Sequence, residues 1–156
     1  MDPMEFLAEH APFSDLTPAG RDALARHLEV TWSAGGERLF ARDASNSYLW
    51  AVRKGSVRLE LDGQLVDDLG PGEVFGLTSL ANDGHPRLDA VTAGDCLLYR
   101  VHRDHVRALF ASEPAFSGFF LKELSCYGNR SNVLFHTIFI LLVTAPMLFG
   151  DSGSIR

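Results

Sequence analysis

Apolar and polar residues alternate through the middle of the chain, which is the pattern expected of half-buried β-strands. The clearest case is the segment 56–61, and the Asp62-Gly63 pair that follows it is a strong hairpin signal. Other alternating segments are separated by turns that contain glycine. Strands at this spacing predict an antiparallel barrel or jelly roll. The apolar residues predicted to line it are Val57, Leu59, Leu61, Phe75 and Val91.

Helical periodicity flanks this region on both sides. In the segment 1–27, Pro3 suits a first helical turn, and Thr17 followed by a proline suits the start of a second helix. Apolar residues return to helical spacing in the segment 102–125. The sequence therefore predicts a mainly β fold with flanking helices: an N-terminal helical segment at 1–27, an eight-stranded antiparallel β-roll at 28–101 and C-terminal helices at 102–125.

One stretch of the predicted roll, residues 71–93, combines features that suit an anion. Residues 77–80 can form a single helical turn, and a polar loop at 82–86 then leads to Arg87, just before the next strand. The first N–H groups of a helical turn have no intrahelical partner and attract anions. The planar guanidinium group supplies a fork of donors that matches phosphate. The layout predicts a pocket for a phosphorylated small molecule between two strands.

The charge balance excludes some partners. The chain of 156 residues has a net charge of -6, which argues against direct nucleic-acid binding because such binding needs a basic face. Neither Cys96 nor Cys126 has metal-ligand spacing, and we expect no metal and no cofactor. The N-terminus is acidic and amphipathic rather than a secretory signal, so the expected location is the cytoplasm.

Three segments resemble the cyclic nucleotide-binding homology domain, the module shared by bacterial catabolite-activator-type regulators and eukaryotic cAMP-dependent kinase regulatory subunits. They are YLWAVRKGSVRLEL (48–61), LGPGEVFGLTSL (69–80) and PRLDAVTAGDCLLYRV (86–101), and the likeness extends over roughly 10–125. The resemblance implies an eight-stranded β-roll with a phosphate-binding cassette at about 71–93. It also implies a sensor or regulatory domain in bacterial signal transduction that binds a cyclic nucleotide or a related phosphorylated ligand and is not an enzyme.

The resemblance implies a role for each residue of the cassette. Arg87 stands where the family has an arginine that pairs with the cyclic phosphate. The backbone amides of Leu77, Thr78 and Ser79 stand where the family's short helix holds the same phosphate. The predicted ligand site, which includes no catalytic residue, comprises Gly76, Leu77, Thr78, Ser79, Arg87 and Leu88.

Two positions depart from the family pattern. The family has a glutamate at the start of the short helix, after the glycine, whereas Leu77 follows Gly76 here. The family also has a serine or threonine after the arginine, and Leu88 occupies that place here. Two polar contacts to a ligand are therefore missing. A hydrogen bond is worth about 0.5–3 kcal/mol, so their loss predicts binding that is weaker by roughly 10- to 1000-fold.

These departures leave a second interpretation open, in which the domain binds no ligand and acts by docking to partner domains. This degenerate cassette resembles the cassettes of bacterial proteins that also carry CBS and nucleotidyltransferase-like domains. In this interpretation Arg87 is a surface arginine, and Thr78 and Ser79 cap their own helical turn. A cupin-like metal enzyme is disfavoured, because none of the six histidines lies squarely within the predicted strands.

Two features of the segment 102–125 have two interpretations each. The three phenylalanines between positions 116 and 120 form either the face of a homodimer or a face that packs against the roll. His102 and His105 have the spacing of a helical metal pair, but no third ligand is evident, and a solvated helix start accounts for both.

The composition changes after residue 125, which marks 126–156 as an atypical apolar tail. Within it, the run VLFHTIFILLVTAPMLF at 133–149 is almost wholly apolar. The run is at the lower limit for a membrane-spanning helix, which needs about 20 residues. Three alternatives stay open for this run: a membrane contact, a helix that packs on the roll or in a dimer, and a non-native or truncated end.

Overall fold

The computed structural model describes residues 2–81 and 83–128, and its centre is a roll of two four-stranded antiparallel sheets. The strands are β1 (Glu29–Ser33), β2 (Arg38–Phe40), β3 (Tyr48–Lys54), β4 (Val57–Leu61), β5 (Gln64–Leu69), β6 (Val74–Phe75), β7 (Asp89–Thr92) and β8 (Cys96–His102). Their order is β1-β8-β3-β6 in the first sheet and β2-β7-β4-β5 in the second. The predicted eight-stranded antiparallel roll is confirmed.

Helices precede the roll, follow it and interrupt it once. They are α1 (Pro3–Glu9), α2 (Pro18–Ala25), α3 (Leu77–Ala81), α4 (Arg103–Phe110) and α5 (Pro114–Gly128), with a 3-10 turn at Phe13–Asp15. Proline begins both α1 and α2, and a side-chain oxygen caps each helix. The Met4 N–H donates to Asp2 Oδ1 at 3.2 Å, and the Gly20 N–H donates to Thr17 Oγ1 at 3.1 Å. Sequence signals therefore fix both helix starts.

Two hydrophobic cores share β3 and β8, because successive residues of a strand point to opposite faces of the sheet. On β8, Cys96 and Leu98 belong to the core between the two sheets. Tyr99 and Val101, on the other face of the strand, belong to the core between the first sheet and the helices. The helices thus pack on the outer face of the first sheet, whose inner face forms one wall of the roll.

Two residues that were predicted to line the roll do not. Leu61 is 39% exposed, because it ends β4 at the hairpin, opposite Gln64. Val91 is half-buried and belongs to neither core, whereas Ala90 and Thr92 are buried. The prediction chose the wrong face of β7, because valine is more apolar than either neighbour. The other three predicted lining residues are buried.

A buried carboxylate joins the N-terminal helices to the C-terminal ones. Glu113 precedes α5 and is 6% exposed. The Thr17 hydroxyl donates to one carboxylate oxygen at 2.5 Å, and the Thr17 N–H donates to the other at 3.3 Å. Gly20, in the first turn of α2, lies against the same carboxylate, and a methyl group there would overlap Glu113 Oε1. The contact therefore explains a glycine inside a helix, where alanine is otherwise favoured.

Replacing Gly20 with alanine should destabilise the protein. The added methyl group overlaps the Glu113 carboxylate, and overpacking of this kind costs about 1–3 kcal/mol. The matched control is Gly118→Ala in α5, where an added methyl group meets no described atom within 4 Å. That change should raise the free energy of unfolding by about 0.5–1 kcal/mol. Urea denaturation measures both, and a Gly20→Ala protein as stable as the wild type would contradict the contact.

Candidate functional site

A shallow pocket opens beside α3, within the segment 71–93 that the sequence marked as a cassette. Its volume is about 30 Å³. One water needs about 10–15 Å³, so the pocket as built admits only a few atoms. The residues that line it are Phe40, Leu59, Val74, Phe75, Gly76, Leu77, Thr78 and Leu88. Four of the six predicted site residues are therefore at the pocket, and the other two, Ser79 and Arg87, lie outside its lining.

Gly76 makes the turn from β6 into α3 possible. Its φ is +85°, in the left-handed region that favours glycine. A methyl group at this position would approach the Tyr48 carbonyl oxygen within 2.8 Å and Asn46 Nδ2 within 3.1 Å. The backbone can therefore pass close to β3 and set α3 against the roll only because this residue has no side chain.

Asn46, which sequence reasoning did not single out, holds the cassette in place from behind. Its side chain is 5% exposed. The amide Nδ2 donates to the Tyr48 carbonyl at 2.7 Å and to Ser79 Oγ at 3.1 Å. The amide Oδ1 accepts from the Trp50 indole N–H at 3.1 Å and from the Tyr48 N–H at 3.3 Å. The Asn46 N–H donates to the Gly84 carbonyl at 2.6 Å. One side chain thus joins β3, α3 and the loop after α3.

Ser79 belongs to this network rather than to the pocket. Its side chain is 1% exposed and its hydroxyl accepts the hydrogen bond from Asn46. Its N–H donates to the Gly76 carbonyl at 3.2 Å, and its carbonyl accepts from the Gly84 N–H at 2.8 Å. Sequence reasoning expected the Ser79 amide to face a ligand, but this amide already has an acceptor within the cassette.

Thr78 connects the two ends of the cassette. Thr78 lines the pocket, and its hydroxyl accepts a hydrogen bond from the Arg87 N–H at 3.3 Å. This bond fixes the backbone of Arg87 beside the pocket, with Leu88 lining it. The side chain of Arg87 is exposed and is not part of the pocket lining. The structure therefore brings the arginine next to the pocket without placing its guanidinium group inside.

Two arginines of α4 link the cassette to the C-terminal helices. Arg107 Nη2 donates to the Leu80 carbonyl, near the end of α3, at 2.8 Å. The Arg103 N–H donates to the Ser47 carbonyl at 2.8 Å. The Arg103 guanidinium also lies close to Gly84, where an added methyl group would come within 2.8 Å of Nη1. A displacement of α3 would therefore act on α4 directly.

The described residues also bear on the other sequence predictions. His102 caps α4 by accepting from the Asp104 N–H at 3.2 Å, and the described part of the chain contains no cluster of three or more metal-ligating side chains. Phe116 and Phe120 are 0% exposed within the core that the helices form with the first sheet, as the packing alternative requires. Homodimerisation through 102–125 stays a prediction.

The apolar run 133–149 lies outside the described residues. Within 2–81 and 83–128, no helix has the length and apolar character that crossing a membrane requires. The three alternatives for the tail therefore stay as the sequence left them.

A family profile described as the cyclic nucleotide-binding domain matches residues 31–113, which is more than half of the chain. The chain therefore belongs to the cyclic nucleotide-binding domain family, and the resemblance seen in the sequence is confirmed. The matched segment includes the whole pocket, the Asn46 network and α4.

Two curated relatives are regulatory proteins by name. The chain is 29% identical over 100 residues to the cAMP-dependent protein kinase regulatory subunit of Eremothecium gossypii, covering 64% of this chain and 22% of that protein. It is 26% identical over 133 residues to the CRP-like cAMP-activated global transcriptional regulator of Mycobacterium tuberculosis, covering 82% of this chain and 59% of the regulator. The chain thus spans less than two thirds of the length of either relative.

Comparison with solved structures supports the same fold. The sensor domain of the transcriptional regulator DNR from Pseudomonas aeruginosa superposes with a TM-score of 0.71 at 14% identity. The match covers 83% of this chain and 98% of that chain. At this identity the likeness concerns the roll and its helices, and not the ligand.

Replacing Asn46 with alanine should destabilise the protein by about 2–6 kcal/mol. The change leaves buried polar groups of Trp50 and Ser79 without their partner, and each such group costs about 1–3 kcal/mol. Ser45→Ala, at the exposed neighbouring position, is the control and should change the free energy of unfolding by less than about 0.5 kcal/mol. Chemical denaturation gives both values. Equal stability of the two variants would show that the network does not hold the cassette.

Proposed function

We propose that the chain is a regulatory domain of bacterial signal transduction, whose pocket beside α3 binds a cyclic nucleotide or a related phosphorylated small molecule. The observation that carries this proposal is the hydrogen bond between the Arg87 N–H and Thr78 Oγ1, which holds the backbone of Arg87 beside a residue that lines the pocket. Membership of the cyclic nucleotide-binding domain family supports it. Both curated relatives described above are regulators whose names include cAMP.

The phosphate group would be held at the rim of the pocket. A guanidinium group carries five N–H donors in a planar fork, and the long side chain of Arg87 can fold over the pocket from its exposed position. The backbone N–H groups of Leu77 and Thr78 begin α3 and would add donors on the same side. A protein with a net charge of -6 needs such a local arrangement to attract an anion.

The contacts of α3 supply a route from the pocket to the C-terminal helices. A ligand shifts a conformational equilibrium only when it binds one state more tightly than the other. Contact of a ligand with Leu77 or Thr78 would favour one position of α3. Because Arg107 bonds to the Leu80 carbonyl, that position would be transmitted to α4 and α5. We propose this regulatory role without a catalytic one.

A second candidate function is a docking module that needs no ligand. The observation in its favour is the small apolar pocket, about 30 Å³, in which Leu77 is only 7% exposed. In this alternative Leu77 belongs to the core between the first sheet and the helices, and Leu88 packs against the core of the roll. The domain then acts through contacts of its outer surface. The two candidates differ in whether any phosphorylated ligand binds at the pocket.

Calorimetric titration with cAMP and cGMP separates the two candidates. We expect weak binding by the wild type and a loss of at least roughly tenfold in affinity for Arg87→Ala, since hydrogen bonds to a charged group are worth about 1.5–3 kcal/mol. Arg26→Ala is the matched control, because Arg26 is an exposed arginine immediately after α2 that pairs with Asp22. It should bind as the wild type does. Binding unaffected by Arg87→Ala would contradict the proposed phosphate site, and no binding of either nucleotide would favour the docking module.

A further inference from the structure

The hydroxyl oxygens of Ser79 and Thr78 both accept hydrogen bonds from within the protein. Ser79 is 1% exposed, and its hydroxyl is bonded to Asn46 behind α3. The Thr78 hydroxyl accepts from the Arg87 N–H. Among the described residues that line the pocket, Thr78 is the one with a polar side chain. The pocket therefore has little to offer a ligand that carries several hydroxyl groups.

The remaining lining is apolar and partly aromatic. The rings of Phe40 and Phe75 stack with their centroids 6.0 Å apart and an interplanar angle of 29°. Leu77 in α3 and Leu88 immediately before β7 supply aliphatic side chains at the same pocket. Leu77 is 7% exposed, and Leu88 is half-buried against the core of the roll. The wall is thus a surface for an apolar group.

This lining should distinguish a phosphate ester of a sugar, which carries hydroxyl groups, from a phosphate ester of an apolar group. A sugar hydroxyl placed against the leucines loses its hydrogen bonds to water and gains none in return. One such unpaired hydroxyl lowers affinity by roughly tenfold or more. An apolar group of the same size meets the wall with no such loss and removes apolar surface from water. The preference therefore follows from the chemistry of the lining alone.

We propose that Leu77 and Leu88 make the pocket selective for a phosphate ester with a compact apolar body, and that they weaken the binding of ligands whose ribose hydroxyls enter it. The small volume of about 30 Å³ favours a compact body over a bulky one. The inference rests on the proposed function, because it takes binding of a phosphorylated ligand at Arg87 as its starting point.

Phenyl phosphate and ribose 5-phosphate test this selectivity, since each carries one phosphate monoester and one ring, and they differ in hydroxyl groups. Dissociation constants are measured by calorimetry for the wild type, with inorganic phosphate as the baseline. We expect phenyl phosphate to bind at least about tenfold more tightly than either of the other two. In Leu77→Gln the ratio should fall toward one, because the new amide can pair with a hydroxyl group. Leu61→Gln, at an exposed leucine of the hairpin, should keep the wild-type ratio.

Leu88→Thr is a second variant at a half-buried position, and it keeps the test valid if Leu77→Gln does not fold. It should reduce the preference for phenyl phosphate as well. Ribose 5-phosphate binding as tightly as phenyl phosphate to the wild type would overturn the selectivity and leave the proposed function standing. A preference that survives in whichever of the two variants folds would overturn the role of the leucines. No binding of any of the three phosphates would overturn the inference, whereas the titrations with cAMP and cGMP decide the proposed function.

Discussion

The buried amide of Asn46 is the interaction on which the position of the cassette depends. Its two N–H donors and two acceptor lone pairs are all used, by the backbone of Tyr48, the hydroxyl of Ser79 and the indole of Trp50. Its own N–H fixes Gly84 in the loop beyond α3. Each of these groups would be costly to bury without a partner, so the groups hold one another in a single arrangement. The short helix α3 could not form a stable site on its five residues alone.

This arrangement gives successive residues of α3 different tasks. Leu77 and Thr78 face the pocket, Ser79 faces the network behind the helix, and the carbonyl of Leu80 accepts from Arg107 of α4. A few residues of chain therefore connect a candidate ligand site, the roll and the C-terminal helices. Because closely packed elements move as units, a shift at the pocket has a direct physical route to the helices. That route is why a regulatory role fits the domain better than passive binding.

The parts of this architecture that depend on local pattern could be predicted from the sequence. Alternation and the Asp62-Gly63 turn gave the hairpin of the roll, and the order of helical turn, loop and arginine located the cassette. The prediction that Val91, rather than its neighbours, is buried was wrong, because a short strand has too few residues to define its buried face. Asn46 lies in a polar loop and has no local signature of burial. The contact of Glu113 with α2 joins residues far apart in the chain, which periodicity cannot reveal.

The central claim is that the pocket beside α3 binds a phosphorylated ligand and that this binding changes the position of α4. Backbone amide chemical shifts, followed by nuclear magnetic resonance during titration with cAMP, test it residue by residue. The account predicts the largest changes at Gly76, Thr78 and Leu88, followed by changes around Arg107. Changes confined to surfaces remote from α3, such as the hairpin at Asp62, would contradict it.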